Sequence, residues 1–267
     1  MTETTRFSPD NGVALDHVPA LRRVPVDAPW VWLAAGWQDM WRTPGVSLSY
    51  GAVFASAAAV LILGLWSVGA QSMFFALAGG FLLVGPFLAV GLYEASQRLG
   101  RGETVRLSDI VWAGFGARGQ LAFFGAVLLF VFMLWLQLAL LLLMLFVGTS
   151  GAPHPGELLQ VAQFAPRALA LLVVGTLIGG IIATFVFAIS VVAVPMLLVA
   201  HVDAISAARA SFAAVIGNPK PMALWAVLIA GIMALGFATL LAGLIIAFPL
   251  IGHATWHAYA DLYGRPD

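Results

Sequence analysis

SLSYGAVFASAAAVLILGLWSVGAQSMFFALAGGFLLVGPFLAVGLY, residues 47–93, contains no charged side chain. A helix that crosses a bilayer needs about 20 such residues. The run is too long for one crossing and suits two, with a tight turn near Gly69-Ala70-Gln71. Gly79, Gly80, Gly85 and Pro86 in its second half permit close packing and a kink, provided neighbouring groups satisfy the freed carbonyl. The rest of the chain continues the theme. Apolar residues make up 62% of it and charged residues 9%, against about 25% charged in a soluble domain. So apolar a chain needs hydrocarbon as its solvent, and it lacks the short alternating segments of a membrane β-barrel. The expected class is all-α, a polytopic membrane helix bundle.

Upstream of that run, residues 1–29 are polar and hold Pro9, Pro19, Pro25 and Pro29. They are expected to form a flexible cytoplasmic tail rather than a cleavable signal peptide. Residues 30–267 are the expected helical transmembrane domain. Trp30, Trp37 and Trp41 fall at roughly helical spacing ahead of Pro44. They are expected to anchor a short helix at headgroup depth, where an indole ring is half buried and its N–H hydrated. Downstream, a polar connection (94–118) holds a second surface helix at Leu107–Phe115, and a third span runs from about Gln120 to Val147. A Gly- and Pro-rich loop with His154 and Glu157 leads to a fourth span, Arg167 to Ala200. A small amphipathic helix then ends at the turn Asn218-Pro219-Lys220-Pro221. Met222 to Tyr263 reads either as one long helix leaving the membrane near His253, or as a hairpin turning around Thr239 to Gly243.

A recurring pattern favours the hairpin. A proline late in an apolar run is followed eight positions on by a polar residue: Pro86 by Glu94, Pro195 by Asp203, Pro249 by His257. Three related units are expected, each a surface helix followed by two spans, giving six transmembrane helices as three hairpins. Arginine placement agrees. Arg6, Arg22, Arg23, Arg42, Arg98, Arg101, Arg106, Arg118, Arg209, Lys220 and Arg265 then share one side, and only Arg167 falls on the other. Under the positive-inside rule that side is cytoplasmic, with both termini there.

His253 and His257 lie four residues apart, the spacing that lets two imidazoles on one helical face reach a single metal ion. The proline pattern would set Glu94, Asp203 and His257 at matching depth, so Glu94, Asp203, His257 and His253 form the candidate polar cluster. The plainer reading is that polar residues at helix ends are hydrated and need no function. Net charge is zero, which implies no nucleic-acid partner, and the lack of cysteine removes disulfides and thiolate sites. No phosphate-binding loop, GxSxG or HExxH is present. Histidines four apart on one helix cannot ligate opposite faces of one haem iron. No cofactor is expected.

GPFLAVGLYEASQRLGRGE (85–103), WLAAGWQDMW (32–41) and PLIGHATWHAYADLY (249–263) resemble signatures of a bacterial integral-membrane family known as domain of unknown function 2189. Some of its members carry a cytochrome c oxidase subunit label. The resemblance implies a helical inner-membrane protein with no established activity and supplies no catalytic residues. The expected role is non-enzymatic: a scaffold, accessory or assembly factor whose partners are the lipid bilayer and a membrane protein or a second copy. The alternatives are a channel or transporter lined by the polar cluster, and a metal- or haem-binding redox protein.

Overall fold

The computed structural model describes residues 18–70, 73–108, 110, 119–147 and 166–264. Most of the expected surface helix at Leu107–Phe115, the loop bearing His154 and Glu157, and Arg265 lie outside the described residues. Those described form helices joined by short connections, without strands. In order they form α1 (Ala28–Arg42), α2 (Pro44–Ser67), α3 (Phe74–Leu88), α4 (Val90–Gly100) and α5 (Gly119–Val147). There follow α6 (Pro166–Ser190), α7 (Ala193–Val199), α8 (Ala204–Gly217), α9 (Pro219–Ala238) and α10 (Leu244–Tyr263).

Among the described residues five stretches are long and apolar enough to cross a membrane: Pro44–Ser67, Phe74–Gly100, Gly119–Phe146, Leu169–Val199 and Pro219–Ala238. The first four match the spans expected from hydropathy, and the connection between α9 and α10 falls at Thr239–Gly243, as the hairpin reading required. The expected sixth span, α10, is not among them. Its residues are buried by protein instead. Along its C-terminal half Gly252, His253, Ala254, Thr255, Trp256, Ala258, Tyr259, Ala260, Leu262 and Tyr263 are all buried, with α1, α2, α4 and α9 packed around it. Helices α2 and α5 and the first part of α6 show the opposite pattern. Leu63 on α2, Leu145 on α5 and Ile181 on α6 are 69%, 73% and 70% exposed, which suits a helix whose neighbour is hydrocarbon rather than water.

Each late proline coincides with a backbone group that loses its helical partner, and in two of the three cases a side chain of another element bonds a group there. The span Phe74–Gly100 breaks at Ala89, three residues past Pro86, leaving the Leu88 carbonyl to accept from the Tyr50 hydroxyl at 2.6 Å. The span Leu169–Val199 breaks ahead of Pro195, and the Val192 N–H donates to Ser211 Oγ of α8 at 3.2 Å. Pro249 has no N–H to give Ile245, four residues back. The Ile245 carbonyl faces Gly51 of α2 so closely that any side chain there would collide with it.

These contacts set the depth of α10. Ser47 of α2 and Ser96 of α4 meet His253, while Gly51 meets Ile245. From Ala52 to Ser67, α2 runs on for roughly 24 Å at 1.5 Å per residue. At the other end Arg22 N–H donates to the Leu262 carbonyl at 2.8 Å, Trp32 Nε1 donates to Asp261 Oδ2 at 3.0 Å and the Tyr263 hydroxyl donates to the Ala210 carbonyl at 2.8 Å. Of the segment expected to be a flexible tail, residues 1–17 lie outside the described residues. The remainder is fastened: Val24 N–H donates to Asn218 Oδ1 at 3.0 Å, and Asn218 Nδ2 donates to the Arg22 carbonyl at 3.2 Å.

Gly51→Val should force α2 off the Ile245 backbone at a cost of about 1–3 kcal/mol, the range for overpacking. Gly64→Val, where an added Cβ meets nothing within 4 Å, should leave the melting temperature in detergent close to that of the unaltered protein. Equal melting of the two variants would contradict the close crossing.

A buried carboxylate, histidine and serine network

The face that α1 turns inward holds Trp32, Gly36, Asp39 and Met40, at helical spacings of four, seven and eight. Gly36 brings α1 onto α10: a Cβ there would lie 2.6 Å from the Ala254 nitrogen. That approach carries Asp39, only 4% exposed, into the space between α4 and α10. Asp39 Oδ2 accepts from His257 Nε2 at 2.7 Å and from the Ser96 hydroxyl at 2.9 Å. Arg42, largely in solvent, stands 3.6 Å from Oδ1.

The remaining bonds follow from proton counting. An ionised carboxylate only accepts, and a serine has one proton to give. Ser96 gives its proton to Asp39, so its oxygen must accept from His253 Nδ1, 2.7 Å away. A fully buried imidazole with no carboxylate bonded to it stays neutral, so Nδ1–H leaves Nε2 as an acceptor, and Ser47 Oγ donates to it at 2.9 Å. Thr43 closes the end of the chain, its hydroxyl donating to the Asp39 carbonyl at 3.2 Å with Ser47 Oγ 3.3 Å away. His253 is thus neutral, 0% exposed and bonded at both nitrogens. Four elements, α1, α2, α4 and α10, meet through one set of polar groups.

This constellation differs from a nucleophile triad. There a carboxylate orients the imidazole directly and the imidazole takes the serine proton. Here Ser96 stands between Asp39 and His253 and gives its own proton to the carboxylate. The serine that does donate to His253, Ser47, is fully buried.

Residues 73–199 match the model of a family described as predicted integral membrane protein (DUF2189). This is an integral membrane protein. The matched part runs from just before α3 to the end of α7 and includes the stretch 85–103. The stretches 32–41 and 249–263, which carry Asp39 and the two histidines, lie outside it. No curated protein and no solved structure matches the chain.

Of the cluster expected from sequence, His253 and His257 enter the network, and the other two members are engaged elsewhere. Glu94 Oε1 accepts from Arg98 Nε at 2.7 Å on α4. Asp203 caps α8, accepting from the N–H groups of Ile205 and Ser206 at 3.0 and 2.9 Å and from the Ser206 hydroxyl at 2.6 Å. No bond joins Glu94, Asp203 and His257 to one another. Among the described residues no three His, Cys, Asp or Glu side chains gather as a metal site. Trp30, Trp37 and Trp41 are 56%, 46% and 47% exposed, on the face of α1 opposite Trp32. Asp39, Ser47 and Ser96 were not singled out in the sequence. The available signal was the spacing of Asp39 from Trp32 and Gly36, which sets it on the one face of α1 that other helices cover.

Asp39 lies on α1, outside the five stretches long and apolar enough to cross a membrane. Burial pushes its carboxyl up, but the hydrogen bond and charge of His257 and the Ser96 hydroxyl outweigh that and hold it below the usual carboxylate range. A carboxyl lowered on folding contributes stability that is complete above its unfolded pKa, about 3.9, and is lost as pH falls through the folded value. Thermal stability should therefore show no Asp39-linked loss between pH 7 and 5 and decline below about pH 4. Asp39→Asn should weaken that acid limb, measured as melting temperature against pH. Ser96→Ala should strand His253 Nδ1–H and cost about 1–3 kcal/mol, whereas the half-buried Ser49→Ala should cost little.

Proposed function

We propose that the protein is a non-enzymatic component of the bacterial inner membrane that works through helix and lipid contacts, as a scaffold, accessory or assembly factor. The observation that carries this reading is the saturation of the network. Asp39, Ser96, Ser47, His253 and His257 are bonded to one another, and His253 has no nitrogen left for a substrate or metal. Groups of this chemistry, sealed together where four helices cross, fix an arrangement of helices. An apolar cavity of about 360 Å³, lined by Phe81, Phe187, Met233 and Phe248 among others, adds a surface suited to hydrocarbon. The channel or transporter reading needs Glu94, Asp203 and His257 to face one path. Each would first have to leave Arg98, the α8 cap or Asp39.

In our reading both termini are cytoplasmic, and α9 and α10 enter the bilayer from that side as a hairpin whose tip stops inside it. Three features support this. The end of α10 is bonded to Arg22 and Trp32, so it shares a side with the N-terminal segment. His253 sits level with Ser47 near the start of α2, and from His253 to Leu244 is roughly 13 Å, less than half a hydrocarbon core of about 30 Å. The tip itself, Thr239-Leu240-Leu241-Ala242-Gly243, carries no charge, and Leu240 is 92% exposed. Its polar groups are met internally, the Thr239 hydroxyl donating to the Gly236 carbonyl at 2.9 Å and accepting from Gly243 N–H at 2.8 Å.

The chain has no cysteine, so single replacements report cleanly. In intact cells Ser67→Cys, at the far end of α2, should react with an impermeant maleimide. Leu240→Cys should stay unlabelled from either face and react only after the membrane is dissolved. Labelling of Leu240→Cys from the periplasm would restore a sixth full crossing and overturn the hairpin.

A further inference from the structure

The outward face of α8 does not resemble that of a helix bathed in water. Its inward face is small, with Ala204, Ala207, Ala210, Ser211 and Ala214 buried. Its outward face carries Ile205, Phe212 and Ile216, exposed by 70%, 46% and 63%. In the middle of that face stands one cation, Arg209, exposed and making no hydrogen bond or ion pair with any described residue. The helix is held at the mouth of a span, since Ala204 N–H donates to Gln120 Oε1, one residue into α5, at 3.0 Å.

Between α8 and the spans α5 and α6 lies an open groove of about 860 Å³. Arg209 lines it, together with Phe123 and Val127 of α5 and Phe185 and Ile189 of α6. Phe123 and Phe185 are 57% and 56% exposed. The groove therefore has a charged rim at the level of the surface helix and apolar walls that follow two spans into the bilayer. An arginine on an apolar face lays its stem along the surface and presents its planar, five-donor head at the polar edge. Such a head matches a phosphate oxygen pair, and the walls match hydrocarbon. A soluble anion would use only the rim, and an uncharged lipid only the walls.

We propose that this groove binds an anionic diacyl phospholipid, with its phosphodiester on Arg209 and its acyl chains against Phe123, Val127 and Phe185. The site is separate from the buried network and does not depend on the role assigned to it. It requires only that α8 lie at the membrane surface.

The test is native mass spectrometry of the purified full-length protein offered equal amounts of phosphatidylglycerol and phosphatidylcholine with identical chains. The unaltered protein should retain the anionic lipid about fivefold over the zwitterionic one, the factor expected for one well-placed cation. Arg209→Gln should bring the ratio to about one. Lys220→Gln, at an exposed cation outside the groove, should leave it unchanged, and both variants should elute as the unaltered protein does. The proposal is overturned if the unaltered protein shows no headgroup preference, if Arg209→Gln keeps it, or if Lys220→Gln loses it equally. Displacement of the lipid by glycerol phosphate at the same concentration would overturn it too, since a phosphate site alone would then account for binding.

Discussion

Two hydrogen bonds to one carboxylate oxygen, from His257 and Ser96, decide how the end of the bundle that carries α1 is assembled. A carboxylate taken out of water costs several kcal/mol unless it is paired and hydrogen-bonded. Asp39 meets that condition only when α1 lies across α10 and the end of α4 is in place. Protons then propagate the constraint. The carboxylate orients Ser96, Ser96 fixes the tautomer of His253, and His253 receives Ser47 from α2. Hydrophobic contact between these helices would tolerate a sliding register. A chain of directed donors does not, because one shifted member leaves its neighbours unpaired in a low-dielectric setting.

The deeper part of the molecule obeys a different rule with the same origin. In hydrocarbon no water stands by for a backbone group that its own helix has released. Pro86, Pro195 and Pro249 each coincide with one such release; Tyr50 and Ser211 bond to the groups at the first two, and Gly51 packs against the carbonyl at the third. Two of these three contacts come from α2, the first span. Its Tyr50, Gly51 and Phe54 touch α3, α4 and α10 together, and the Phe54 and Phe248 ring centroids are 4.6 Å apart. The prolines mark the places where one helix becomes dependent on another.

What could be read from sequence divides along the same line. The spans were legible because hydropathy is local, and the turn at Thr239–Gly243 was legible because turn and small residues interrupt an apolar run there. The His253 and His257 pair was visible from spacing alone. Its partners were not, because Ser47 and Ser96 are ordinary residues in membrane helices and lie 206 and 157 positions from His253. Eight residues past each proline the chain also reaches different local settings. Glu94 and His257 are inside helices, whereas α7 ends at Val199 and the extended residues that follow turn Asp203 into a cap for α8.

The composition of α10 follows from where its neighbours end. From Leu244 to Ile251 it is apolar apart from backbone, and there it lies beside Gly51, Phe54 and Phe81, within the spans. From His253 onward it carries Thr255, Trp256, His257, Tyr259, Asp261 and Tyr263, and there it lies beside α1, α4, α8 and the N-terminal segment. A helix crossing a bilayer alone would have to be apolar over its whole length. In the hairpin proposed above, α10 is half in hydrocarbon and half in a protein-covered surface layer, so it needs apolarity only in its first half, and its polar half is used to hold that layer together. Asp39, recruited from the neighbouring surface helix, is the group through which α10 does so.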